Sequence, residues 1–165
     1  MRKTILVSLL LASGSTMAGE CEDNFSKSGG MFKGSNFSSS VTVPNLSVKD
    51  GMGQMRGIMI REKMDVLTED ADSGTLLVEQ RATGATRAIP TIISISSEGS
   101  SAKVEMTVKT EKGVIAKAEN IQPYMCKLLA QVKGGKEGKL AGSKGSKTQN
   151  NADTTSRDVF LFSRQ

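Results

Sequence analysis

Histidine and tryptophan are absent from the chain, and tyrosine occurs once. The missing histidine removes every His-dependent triad, His general base and His–metal site in one observation. Aromatics make up only 4% of residues, which leaves no stacking platform for nucleic-acid bases or for sugar rings. Cysteine occurs twice, at Cys21 and Cys126, and no Cys-x-x-Cys is present, so a thioredoxin-like redox role has no support. A strong charge is missing too. The formal net charge is +5, and without Arg2 and Lys3 the basic count falls from 22 to 20 against 17 acids, leaving +3. Nucleic acid is therefore a poor partner for this chain.

The apolar run at the start is present but short. Arg2 and Lys3 precede Thr4 to Ala12 (TILVSLLLA), and small residues follow, with Thr16 and Ala18 at the −3 and −1 positions of a signal-peptidase site. The run falls below the roughly 17 apolar residues that a membrane span needs. Residues 1–18 are read as a secretory signal peptide cut between Ala18 and Gly19. A lipid on Cys21 is not expected, because such sites place a small residue directly before the cysteine and here Glu20 stands there. The expectation is a periplasmic or secreted bacterial protein, soluble after cleavage and without a transmembrane segment.

Export makes a disulfide permissible, and two cysteines allow a single intramolecular pairing, Cys21 with Cys126. Closing a loop of that length removes unfolded-chain entropy worth about 4 to 5 kcal/mol.

Patterning divides the rest of the chain. Residues 19–45 are rich in Gly, Ser and Lys with isolated Phe25, Phe32 and Phe37, and read as an irregular lead. Val41 to Pro44 suits a short edge strand that Pro44 ends. Residues 46–133 form the expected α+β domain. Residues 134–157 read as a flexible linker rich in Lys, Gly and Ser, too poor in apolar groups to offset the entropy of ordering. Residues 158–165, with Val159 to Phe162, regain strand character.

Within the domain, Val48, Met52, Met55 and Met59 recur at helical spacing. Gly51, Gly53 and Gly57 oppose a helix by about 1 kcal/mol each. They fit if the helix begins near Gly51 and Gly53 and if Gly57 lets it approach a sheet closely. The period then changes to two. Strands are expected over Asp65 to Glu69, Thr75 to Arg81, Ala88 to Ser97 and Ser101 to Thr110, with turns at Asp70 to Gly74 and Ala82 to Thr86. In the last strand Ala102, Val104, Met106 and Val108 point one way, and Lys103, Glu105, Thr107 and Lys109 the other. Ile121, Met125, Leu128, Leu129 and Val132 return to helical spacing, with Pro123 in the first turn and Gly134 and Gly135 as the stop. The expected fold is α+β and two-layered: an antiparallel meander of three to four strands with two helices on one face.

The order helix, meander, helix, with a first helix that leads into a strand, acidic turn and strand over Met64 to Gln80 (MDVLTEDADSGTLLVEQ), resembles the small repeated domains of the outer-membrane assembly lipoprotein C type and related exported domains of helix-grip shape. The likeness extends over about half of the chain. It implies an adaptor or envelope-assembly role and supplies no catalytic residue. Those domains carry more aromatics and a lipidated cysteine, and this chain departs from them in both.

Three functions from different classes follow. The preferred one is a non-catalytic, cofactor-free adaptor that binds another envelope protein through the sheet face or an edge, by strand addition in the second case. One alternative is Cu(I) binding by the thioethers of Met52, Met55 and Met59, against which stands the use of Met to fill core gaps. The other is an inhibitor or immunity-type protein of an exported enzyme. Gly51-x-Gly53-x-x-x-Gly57 does not match a phosphate loop. Lysines 127, 133, 136, 139, 144 and 147, against the single acid Glu137, give the tail a weak attraction to anionic membrane surfaces.

Overall fold

The computed structural model describes residues 17–81 and 87–135. The signal segment before Met17, the Ala82 to Thr86 turn, most of the 134–157 linker and the 158–165 strand lie outside the described residues. The elements run α1 (Met17–Asp23), β1 (Ser26–Gly30), β2 (Gly34–Pro44), α2 (Val48–Arg61), β3 (Met64–Asp70), β4 (Thr75–Gln80), β5 (Ile89–Glu98), β6 (Ser101–Thr110) and α3 (Ala118–Leu129). One antiparallel sheet takes the order β1-β2-β6-β5-β4-β3. The fold is α+β, with helices packed on a strand meander.

The meander β3 to β6 and the two longer helices follow the periodicities. Ser47 caps α2, accepting from the Asp50 amide at 3.1 Å while its hydroxyl donates to the Asp50 carboxylate at 2.8 Å. This satisfies one of the four unpaired amides of a helix start. Phe37, Val41 and Val43 from β2, Ala102 to Val108 at alternate positions of β6, Ile93 and Ile95 from β5, and Leu76 and Val78 from β4 are buried on one face of the sheet. Met55, Ile58 and Met59 of α2 and Ile121, Met125 and Leu129 of α3 complete that core.

Three expectations are corrected. The sheet has six strands rather than three or four, because residues 19–45 are not an irregular lead: they form α1, β1 and β2. Nor is Val41 to Pro44 a short edge strand. It is the end of an eleven-residue strand between β1 and β6. Serines at inward positions hid its period of two. Ser39 is buried with its hydroxyl donating to the Cys21 carbonyl, and Ser35 is buried where its backbone amide donates to the Thr110 hydroxyl at 3.0 Å. Finally, α3 begins at Ala118, so Pro123 sits beyond the first turn, on the exposed side of the helix.

The glycines of α2 also sort differently. The helix starts at Val48, ahead of all three. Gly51 makes the close approach: a Cβ there would lie 3.1 Å from Ile95 Cδ1 and 3.3 Å from Leu46 Cδ2. Gly53 faces open space, and Gly57 would meet only the Arg61 side chain at 3.5 Å.

α1 protects a sheet edge. β1 pairs with β2 only from Gly34 to Ser38, so the second half of β2 would otherwise expose its backbone. There Asn24 Nδ2 donates to the Ser40 carbonyl at 3.1 Å, and the Thr42 amide donates to Glu20 Oε1 at 2.8 Å. Glu20 of α1 and Asn24, the residue just after it, thus replace a neighbouring strand and close a route to edge pairing.

Candidate interaction surface

The residues singled out for copper belong to the core. Met52, Met55 and Met59 are 3%, 0% and 0% exposed and pack in the apolar cluster between α2 and the sheet. Burial of this kind is how a thioether fills an irregular gap. Among the described residues, no three His, Cys, Asp or Glu side chains gather as a set of metal ligands. Cys21 and Cys126 form the disulfide, with Cα atoms 5.6 Å apart across a separation of 105 residues, and join α1 to α3.

The feature left without a covering layer is the other face of the sheet. α2 and α3 bury their apolar sides in the core cluster, which Cys21 of α1 also joins, and neither of the two longer helices covers the opposite side. The strand registers place Ser26, Ser38, Thr107, Ile92, Leu77 and Thr68 in one row across all six strands. Leu77 and Ile92, direct cross-strand partners, are half-buried. A second row carries Ser40, Glu105, Ser94 and Thr75; farther along, Asn36 pairs with Lys109 on one side of the sheet, and Pro90, Glu79 and Asp65 align on the other. The result is an apolar pair at the centre, hydroxyls beside it and charges around it, the distribution found in protein recognition surfaces.

Electrostatics at the rim are local. Lys103 and Glu105 stand on this face with 3.5 Å between their charged atoms. At the β3 corner Arg81 binds Asp65 in a two-pronged pair, with Nη2 to Oδ1 at 2.7 Å. The Arg81 hydrogen bond holds the Asp65 carboxyl below its usual value. At the end of α2, burial raises the Tyr124 hydroxyl well above its ordinary pKa, helped by the charge of the Glu62 carboxylate and the hydrogen bond to it. That pair links the end of α2 to α3.

Both sheet edges are blunted against strand addition. β3 carries a register shift between Val66 and Thr68, together with the Asp65–Arg81 and Glu69–Arg56 ion pairs. β1 has only five residues, with Gly29 and Gly30 as its last two. Short, charged or bulged edges disfavour further pairing. The open face is thus the better candidate.

Of its members, Lys103, Glu105, Thr107 and Lys109 share one face by the alternation of β6, opposite Ala102, Val104, Met106 and Val108. That alternation says nothing of Leu77 and Ile92. Their signal is a doubled apolar position, Leu76-Leu77 and Ile92-Ile93, in strands whose other outward residues, Pro90 apart, are polar.

No family model matches the chain, and no curated protein is significantly similar to it. Among solved structures it is similar to CalU16 from Micromonospora echinospora, with 9% identity and a TM-score of 0.42 over 73% of this chain and 91% of that one. A likeness of that degree carries no argument here. No helix among the described residues is long and apolar enough to cross a membrane.

Proposed function

We propose that this protein is an exported, non-catalytic binding or adaptor module that engages another envelope protein through the open sheet face. The observation that carries the reading is the Leu77–Ile92 pair, two large apolar side chains held side by side on a face without a helix over it. A sheet that packs one side on a core and leaves the other wet normally turns polar residues outward. Two adjacent aliphatic residues at its centre make sense as the anchor of a docking surface, with Thr107, Ser38 and the charged rows supplying the polar surround.

Export rests on the signal-like leader and agrees with the disulfide between Cys21 and Cys126, a bond that persists in oxidising compartments. The resemblance to envelope-assembly domains points in the same direction. The three methionines supply packing rather than ligands in this account.

The test is site-specific photo-crosslinking in the native envelope. A crosslinker at Ile92 or Leu77 should trap a discrete protein, whereas one at Gly53, on the exposed back of α2, should trap none or do so non-selectively. Equal labelling from both positions contradicts the reading.

A further inference from the structure

A second surface lies at one end of the sheet, apart from the open face. The turn between β1 and β2 reads Gly30-Met31-Phe32-Lys33-Gly34. Phe32 is 78% exposed and Met31 50%. Ile115, 40% exposed, belongs to the loop that leaves β6. The two segments touch, since the Gly113 amide donates to the Met31 carbonyl at 2.9 Å. Among the described residues the other exposed large apolar side chains, Ile60 and Leu67, belong to α2 and β3.

The tip is held rather than loose. Lys33 closes the turn through its amide on the Gly30 carbonyl at 3.1 Å. Gly34 adopts φ +83°, and a Cβ there would lie 2.3 Å from the Thr110 carbonyl oxygen, so only glycine permits this approach to the end of β6. The following residue, Ser35, donates its amide to the Thr110 hydroxyl at 3.0 Å. A turn fixed at several points could have turned its apolar side chains inward. It presents them to solvent instead.

Charge around the tip is mostly of one sign. Lys33 lies in the turn, Lys112 and Lys117 flank Ile115 in sequence, and Lys109 is the last outward residue of β6; all four are exposed. Arg87 is engaged with Glu111 at 3.2 Å, and Glu119 is the one other acid nearby in sequence. Protruding apolar side chains flanked in the chain by exposed ammonium groups match the boundary between acyl chains and anionic headgroups. A protein partner would call for a broader, complementary surface.

We propose that the Met31–Phe32–Ile115 tip docks onto an anionic phospholipid bilayer. Phe32 and Met31 enter the headgroup–acyl boundary, and Lys33 and Lys112 contact the phosphates. In this pose β2 rises from the bilayer and the open sheet face looks sideways, free for a partner. The Lys-rich tail leaves from the far end, where the Gly135 amide donates to the Asn45 carbonyl at 2.7 Å beyond the end of β2, so tip and tail contributions can be separated.

The test uses the full chain after leader removal, with its disulfide intact, and vesicles of phosphatidylethanolamine with phosphatidylglycerol, compared with pure phosphatidylcholine. Wild type should co-sediment with the anionic vesicles and much less with the neutral ones. Met31→Ser with Phe32→Ser should weaken this by about tenfold or more, as expected when two large apolar side chains are withdrawn from an apolar phase. Lys33→Glu with Lys112→Glu should weaken binding to anionic vesicles alone. Because the chain has no tryptophan, Phe32→Trp serves as a single reporter whose emission should shift to the blue on vesicle addition; this reading decides even if the serine variants fold poorly. Each of these results overturns the proposal: no anionic binding by wild type, undiminished binding by folded serine variants (which would place the contact on the tail), or an unshifted reporter. A protein crosslinked from position 32, without vesicle binding, would assign the tip to a protein partner and equally overturn it. Ile92→Asp should leave vesicle binding unchanged, so the two surfaces fail or succeed separately.

Discussion

Gln54 and Lys133 exchange two hydrogen bonds: Gln54 Nε2 donates to the Lys133 carbonyl and the Lys133 amide donates to Gln54 Oε1, both at 2.8 Å. The Gln54 side chain is only 4% exposed and behaves as a one-residue strand partner inside α2. It fixes the chain where the Lys-rich segment begins. Gln54→Ala would leave both backbone groups of Lys133 without these partners and should destabilise the protein by about 2 kcal/mol. Urea unfolding measures it directly; a change near zero would mean that water replaces the amide without loss.

The glycines of α2 should respond with opposite signs. Gly53→Ala and Gly57→Ala each add helix propensity without a severe clash, and should raise stability by about 0.5 to 1 kcal/mol. Gly51→Ala gains the same propensity but forces a methyl into contact with Ile95 and Leu46, and overpacking of about 1 to 3 kcal/mol outweighs it. Thermal melts of the three variants settle the order. Stabilisation by Gly51→Ala would place the helix farther from the sheet than described.

The same helix shows what could be read in advance. The stripe Val48, Met52, Met55, Met59 marked its buried side, and α2 does bury those methionines under the sheet. Which glycine touched the sheet was not legible, because that depends on where the helix crosses β5. The strands β3 to β6 were legible through alternation. β2 was not, since buried serines stand at inward positions where apolar residues are the usual signal; the Ser39 hydroxyl is satisfied by the Cys21 carbonyl and the Ser35 backbone by Thr110, both far away in sequence. The outward row on β6 was visible, whereas Leu77 and Ile92 emerged as neighbours only once register placed β4 beside β5.

Cys21 and Cys126 close a loop of 105 residues. Replacing both with Ser should lower unfolding stability by about 4 kcal/mol, less any compensation from residual unfolded structure. Intact-mass analysis of the exported protein should show a chain beginning at Gly19 that gains two hydrogens on reduction. A lipid adduct on Cys21 would contradict both the bond and the leader assignment.

Tyr124 makes stability sensitive to alkali. Its folded pKa is raised above the ordinary 10.0, chiefly by burial. The unfolded chain therefore loses the tyrosine proton first, and stability falls as pH rises above about 10. Below that the contribution is fully present. Tyr124→Phe should lose about 1 kcal/mol near neutrality, from the hydrogen bond to Glu62. Its deficit relative to wild type should then shrink as pH climbs past 10, the ordinary tyrosine value. Denaturation curves at stepped pH check this, and a constant deficit would show that burial does not perturb the hydroxyl.

The open sheet face is tested most directly by comparing wild type with Ile92→Asp, and with Leu77→Asp, in crosslinked native envelopes. Both substitutions keep the helix-covered core intact and place a charge at the centre of the outward row. The account predicts that the protein trapped by wild type disappears from both variants while their disulfide and unfolding transition persist. Recovery of the same partner at undiminished yield from both would contradict it.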